Sequence, residues 1–75
     1  MEIKVLGMGC PKCIKLYENT QKAVADKGVE ATITKVEELP SIMKYNVMST
    51  PALVIDEKVV FTGQVPAPEK IAEML

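Results

Sequence analysis

The chain contains two cysteines, Cys10 and Cys13, which are separated only by Pro11 and Lys12. At this spacing the two sulfurs can close a disulfide within one helical turn, or they can hold one soft metal ion between them. Both chemistries require the thiolate form of cysteine. A purely structural cross-link is a weaker interpretation, because a disulfide that closes so short a loop removes little entropy from the unfolded chain. The pair therefore predicts a site for redox chemistry or metal binding.

The positions of the two thiols make them unequal. We expect Cys10 at the N-cap of a helix, with Pro11 at the first helical position, where the missing proline N–H costs nothing. Unpaired backbone N–H groups and the positive end of the helix dipole then lower the pKa of the Cys10 thiol. Lys12 adds a positive charge nearby. Cys13 lies one turn further in, where we expect it to be more buried, so Cys10 is the predicted attacking thiol and Cys13 the resolving one.

Composition limits the class of protein. With 75 residues, of which 48% are hydrophobic and 25% charged, the chain fits one soluble globular domain over residues 1–75. The nine basic and ten acidic side chains are mixed along the sequence, which disfavours nucleic acid binding. No leader-type or membrane-spanning segment is recognisable, so we expect a cytoplasmic protein that does not bind membranes. In a reducing cytoplasm a close cysteine pair is more often catalytic or metal-binding than structural.

Hydrophobic periodicity and turn residues divide the chain into seven elements. Apolar positions at steps of three and four between residues 11 and 27 indicate a long helix, which Gly28 ends. The uninterrupted apolar run at residues 52–55 is typical of a strand that is buried on both faces. The predicted strands are 3–6, 29–36, 52–55 and 59–62, and the predicted helices are 11–27, a short one within 37–45, and one from residue 68.

This β-α-β-α-β-β-α order predicts an α/β fold. Its sheet would be four-stranded and mixed, with the first two strands parallel, the second strand at an edge, and helices on both faces. Reactive groups in open sheets of this kind gather outside the carboxyl ends of the strands. Cys10 follows the first strand and so falls at that edge.

A second signal is the Thr50-Pro51 sequence, directly before the buried strand. Proline cannot donate a hydrogen bond to a neighbouring strand, so it needs a special reason to stand there. One reason is a cis peptide bond that leaves the Thr50 backbone facing a neighbouring group. Taken alone, a trans proline that begins a strand is more frequent, since about 5–6% of X-Pro bonds in folded proteins are cis.

The cysteine motif after the first strand, Thr50-Pro51 before the third, and the order of the elements together resemble the thioredoxin and glutaredoxin superfamily. The resemblance covers essentially the whole chain and is closest to the very small, glutaredoxin-sized thioredoxin-like proteins of archaea and anaerobic bacteria. It implies a thioredoxin-like fold and a thiol–disulfide oxidoreductase. Cys10 would attack a disulfide of a partner protein, and Cys13 would resolve the mixed disulfide. Pro51 would be the superfamily's cis-proline, with Thr50 offering backbone to an extended substrate.

The same resemblance implies that the partners are protein disulfides and a reductase, and that no cofactor is needed besides the Cys10–Cys13 disulfide. We expect a monomer without bound metal. Apolar residues near the motif are expected to form the docking surface, namely Met8, Met48 and Val65. The sequence departs from thioredoxins at Lys4, where they carry a buried acid, and this leaves the deprotonation of Cys13 without an assigned group.

A rival interpretation starts from the segment Gly7-Met8-Gly9-Cys10-x-x-Cys13. It also resembles the Gly-Met-x-Cys-x-x-Cys loop of heavy-metal-associated domains, the small copper and zinc chaperones. Two thiolates from such a loop can hold Cu(I) and pass it on by ligand exchange. Those domains run β-α-β-β-α-β and end in a strand, whereas this chain is predicted to end in a helix. A non-catalytic interaction module is the third alternative.

Overall fold

The fold consists of a four-stranded sheet and three helices in the predicted order. The computed structural model describes residues 1–47 and 49–75. The strands are β1 (Glu2–Leu6), β2 (Thr32–Val36), β3 (Ala52–Ile55) and β4 (Lys58–Thr62). The helices are α1 (Pro11–Lys27), α2 (Leu39–Met43) and α3 (Pro68–Glu73). This confirms the α/β prediction.

The strands lie in the order β2-β1-β3-β4. β1 is parallel to β2 and antiparallel to β3, and β4 is antiparallel to β3, so the sheet is mixed as predicted. β2 lies at an edge but begins at Thr32 rather than at residue 29. The reason is tertiary: β1 begins at Glu2, which pairs with Thr32, so residues 29–31 have no partner strand beside them.

Hydrophobic side chains pack on both faces of the sheet. All of β3 is buried, as its uninterrupted apolar sequence predicts. On one face, β1 and β3 pack against buried residues of α1 and α3 such as Leu16 and Ile71. On the other face, Leu6 and Val54 pack with Ile42 of α2. The helices therefore cover both faces, and the sheet between them fixes the end of β1 from which the cysteine motif emerges.

α1 begins and ends where its local signals predict. Pro11 occupies the first turn, and Gly28 ends the helix in the left-handed conformation at φ 71°, with its N–H bonded to the Val24 carbonyl. The buried face also includes a polar residue that the predicted apolar stripe did not contain. Asn19 is buried, and its Nδ2 donates to the Pro66 carbonyl at 3.0 Å, which ties α1 to the segment before α3.

Candidate functional site

The cysteine motif sits at the start of α1, as predicted. Cys10 and Cys13 are joined in a disulfide, with their Cα atoms 5.1 Å apart. Cys10 is the N-cap residue, in extended conformation, and Pro11 follows in the first helical turn. The Cys13 backbone N–H donates to Cys10 Sγ at 3.3 Å. One of the helix's unpaired donors is therefore aimed at the Cys10 sulfur, where it stabilises negative charge.

Access to the two sulfurs differs. Cys13 is only 5% exposed, whereas Cys10 is half-buried. Pro11 and Lys12, which lie between them in sequence, are exposed. An incoming group can therefore reach Cys10 more readily than Cys13.

Gly7 lies against the buried cysteine. A Cβ atom placed on Gly7 would collide with Cys13 Sγ and would lie 2.9 Å from Cys13 Cβ. Gly7 is itself buried, and its N–H donates to the Val36 carbonyl at 3.0 Å, so it cannot easily move away. Glycine is required here because only a residue without a side chain permits this approach. The sequence marks Gly7 as the end of a strand but does not indicate this contact.

Pro51 lies beside the contact between Gly7 and Cys13. The Thr50–Pro51 peptide bond is cis, Pro51 is buried, and Thr50 is exposed. The Pro51 Cα would lie 4.0 Å from a Cβ on Gly7, which places the start of β3 next to the residue that touches Cys13. The Pro51 carbonyl accepts a hydrogen bond from the Gly63 N–H at 2.7 Å. The fold thus brings Pro51, from the opposite half of the chain, next to the glycine that touches Cys13.

A pocket of about 240 Å³ opens beside Cys13. The charged groups in its lining are Lys35 and Glu37, both from β2 or the residue after it. The remaining lining residues are uncharged and come from β1, the following loop and α1, namely Val5, Gly7, Gly9, Cys13 and Ile14. No local pattern in the sequence connects the end of β2 with the cysteine motif, so neither Glu37 nor Lys35 carries a sequence signal for a role in the site.

Sequence comparison gives the same assignment along the whole chain. The family model described as thioredoxin domain matches residues 1–75. A thioredoxin of Methanocaldococcus jannaschii is 42% identical over 73 residues, covering 97% of this chain and 84% of that protein. A thioredoxin of Methanothermobacter thermautotrophicus is 31% identical over 75 residues, covering 100% of this chain and 97% of that protein. The chain belongs to the thioredoxin domain family. It is a thiol–disulfide oxidoreductase.

The strand position where thioredoxins carry a buried acid is occupied here by an ion-paired lysine. Lys4 Nζ lies 2.7 Å from Glu57 Oε1 and 2.8 Å from Tyr45 Oη, and Tyr45 Oη donates to Glu57 Oε2 at 3.0 Å. Hydrogen bonds to Glu57 and Tyr45 raise the pKa of the Lys4 ammonium, and those from Lys4 and Tyr45 lower the pKa of the Glu57 carboxyl. Lys4 stays protonated and cannot accept a proton.

The three residues predicted to dock a thioredoxin substrate have different surroundings. Met8 is 63% exposed in the loop before Cys10. Val65 is half-buried and packs against the core beneath α1 and α3. Met48 lies outside the residues that the structure describes. Ile14, which is not among the three predicted docking residues, is exposed on the first turns of α1 and lines the pocket beside Cys13.

The fold separates this thioredoxin-family chain from the heavy-metal-associated domains. Its last element is the helix α3, and α2 lies between the second and third strands, whereas those domains run β-α-β-β-α-β. Within residues 1–47 and 49–75, no three Cys, Asp or Glu side chains are grouped as metal ligands.

None of the helices in the described part of the chain is both long and apolar enough to span a membrane.

Proposed function

We propose that this protein exchanges its Cys10–Cys13 dithiol with disulfides of other proteins, with Cys10 as the nucleophile and Cys13 as the resolving thiol. The observation that carries the proposal is the unequal placement of the two sulfurs. Cys10 is accessible and receives a backbone N–H at the start of α1, whereas Cys13 is buried one turn behind it. A thiolate at a helix N-terminus is stabilised at neutral pH and can attack a disulfide.

The reaction begins with attack of the Cys10 thiolate on one sulfur of the partner's disulfide. The partner's other sulfur leaves as a thiolate, and a mixed disulfide joins Cys10 to the partner. Cys13 then forms a bond to Cys10 Sγ, and the bond between Cys10 and the partner breaks. Two electrons pass from this protein to the partner, and a separate reductase restores the dithiol.

The substrate proposed here is an extended segment of a partner protein. Thr50 is exposed beside Pro51 and offers its backbone to such a segment, while Pro11 and Lys12 form the exposed border of the site. Met8, Met48 and Val65 are proposed to add apolar contacts. We further propose that the protein acts as a monomer in the cytoplasm and needs no cofactor besides the Cys10–Cys13 pair.

The test uses the reduction of insulin by the chemically reduced protein. Cys10→Ser is expected to abolish reduction because the attacking sulfur is gone. Cys13→Ser is expected to accumulate a covalent complex with the substrate, because the mixed disulfide forms but is not resolved. Mass spectrometry detects that complex, and addition of dithiothreitol should release it.

A matched control is Glu18→Gln, which changes an exposed residue of α1 and should leave insulin reduction unchanged. If Cys10→Ser retains activity, or if Cys13→Ser traps no substrate, the assigned roles are wrong. A reduced wild-type protein that binds Cu(I) tightly and does not reduce insulin would instead favour metal transport.

A further inference from the structure

Resolution of the mixed disulfide requires a proton to leave Cys13. The attacking species is a thiolate, and Cys13 carries its proton until the reaction reaches this step. Cys13 is 5% exposed, and burial disfavours the charged form of a thiol. Lys4, on β1, is a protonated donor that is hydrogen-bonded to Glu57 and Tyr45. Lys4 is therefore not the group that takes the proton.

The chain after β2 brings a carboxylate to the cysteine loop. Gly7 touches Cys13, and the Gly7 N–H is bonded to the carbonyl of Val36, the last residue of β2. Glu37 follows immediately. Its Oε2 lies 3.4 Å from the position that a Cβ on Gly9 would occupy, so the carboxylate lies over the residue that precedes Cys10.

Glu37 and Cys13 line the same pocket, which has a volume of about 240 Å³. That volume admits several water molecules, and polar groups in its wall can hold them. The other charged group in the lining is Lys35, whose Nζ lies 4.5 Å from the centre of the Tyr17 ring. The lining contributed by β1, the cysteine loop and α1 is uncharged. Within the described residues, Glu37 is therefore the carboxylate that faces the pocket beside Cys13.

We propose that Glu37 accepts the proton of Cys13, through water in this pocket, when the mixed disulfide is resolved. This inference rests on the proposed function. The Cys13 proton passes to the Glu37 carboxylate while Cys13 Sγ forms a bond to Cys10 Sγ. The bond between Cys10 Sγ and the partner's sulfur breaks, and its electron pair leaves with the partner as a thiolate, which takes a proton from solvent. In the reverse direction the Glu37 carboxylic acid returns the proton to Cys13.

The two steps separate in a rapid-mixing experiment with the reduced protein and the aromatic disulfide 5,5′-dithiobis(2-nitrobenzoate). Attack by Cys10 releases one coloured thiolate, and resolution by Cys13 releases a second. The amplitude of each phase reports whether the step occurs, and its rate reports how fast. The wild-type protein, Glu37→Gln, Glu37→Asp and Glu38→Gln are compared across the pH range.

Glu37→Gln is expected to slow the second phase by about a hundredfold at neutral pH, at the lower end of the effects of a positioned general base. The first phase should not be slowed, because the attack by Cys10 does not require the proton of Cys13 to leave. The difference should shrink only at alkaline pH, above the ordinary thiol value of about 8.5, because a buried thiol ionises without help at a higher pH than an exposed one. Glu37→Asp keeps a carboxylate and should recover part of the rate. Glu38→Gln, a neighbouring exposed residue outside the pocket lining, is the matched control and should behave as wild type.

An unchanged second phase in Glu37→Gln would overturn the inference while leaving the proposed function intact. A second phase slowed equally at every pH would also overturn it, because that pattern indicates a structural effect. If the wild-type protein lacks a second phase altogether, the proposed function itself fails.

Discussion

Replacing Gly7 by alanine tests the contact between the backbone and the buried sulfur. The added Cβ would collide with Cys13 Sγ and approach Cys13 Cβ to 2.9 Å. Both sides of the contact are fixed, since Gly7 is bonded to Val36 and Cys13 belongs to the first turns of α1. The clash therefore has to be relieved by movement of a strand end or a helix end.

The expected cost is that of an extra methyl group in a packed interior, about 2 kcal/mol of the free energy of unfolding. For a domain of this size that corresponds to a melting temperature about 8–16 °C lower. Gly28→Ala provides a contrasting case. Gly28, unlike Gly7, has a positive φ, 71°, and no neighbour lies within 4 Å of its added Cβ, so its cost of about 1 kcal/mol comes from the backbone alone.

Urea unfolding of the reduced protein isolates the sulfur's share of this cost. Gly7→Ala is measured in the wild type and in Cys13→Ala, which lacks Sγ but keeps Cβ. We expect the cost to fall by about 1 kcal/mol in the second background, as coupling between residues in contact predicts. Equal costs in the two backgrounds would refute the assignment of Gly7 to the sulfur contact.

Three further predictions concern contacts outside the cysteine loop. Glu57→Gln should lower the free energy of unfolding at neutral pH. Since Lys4 lowers the pKa of Glu57 below 4.5, the difference from wild type should persist above pH 4.5 and vanish as the pH falls through the lowered value in acid titration. Asn19→Ala should cost about 1–3 kcal/mol in urea unfolding, because the Pro66 carbonyl loses its donor. Asp56→Asn should leave the free energy of unfolding unchanged, because asparagine keeps the side-chain oxygen that accepts the Glu2 N–H and tolerates the positive φ of 48°. Asp56→Ala removes that oxygen and should lower the free energy of unfolding by about 1 kcal/mol, measured by thermal melting.

Elements fixed by local signals could be predicted closely from the sequence. Pro11 and Gly28 mark the two ends of α1, and the apolar run of β3 is buried throughout. The start of β2 could not be predicted in this way, because it depends on where β1 begins. Asn19 was missed for a similar reason: the group that satisfies its amide, the Pro66 carbonyl, lies 47 residues away in sequence.

The residues of the candidate site likewise fall into those with a local sequence signal and those placed by the tertiary structure. Cys10 and Cys13 are close in sequence, so their spacing and their position at the start of a helix can be predicted from the sequence. Pro51 has a signal of its own, because it directly precedes a buried strand. Gly7 resembled an ordinary strand end until the fold placed it against Cys13. Glu37 carried no signal, because its position beside the cysteine loop results from the parallel pairing of β1 and β2.

Pro11 and Lys12 lie between the two sulfurs, yet both side chains are exposed to solvent. Neither side chain is buried in the core, so substitutions at these two positions change the surface beside Cys10 without opening a cavity in the interior. Exchanging this one dipeptide can therefore reshape the border of the site while the packing of the fold is kept.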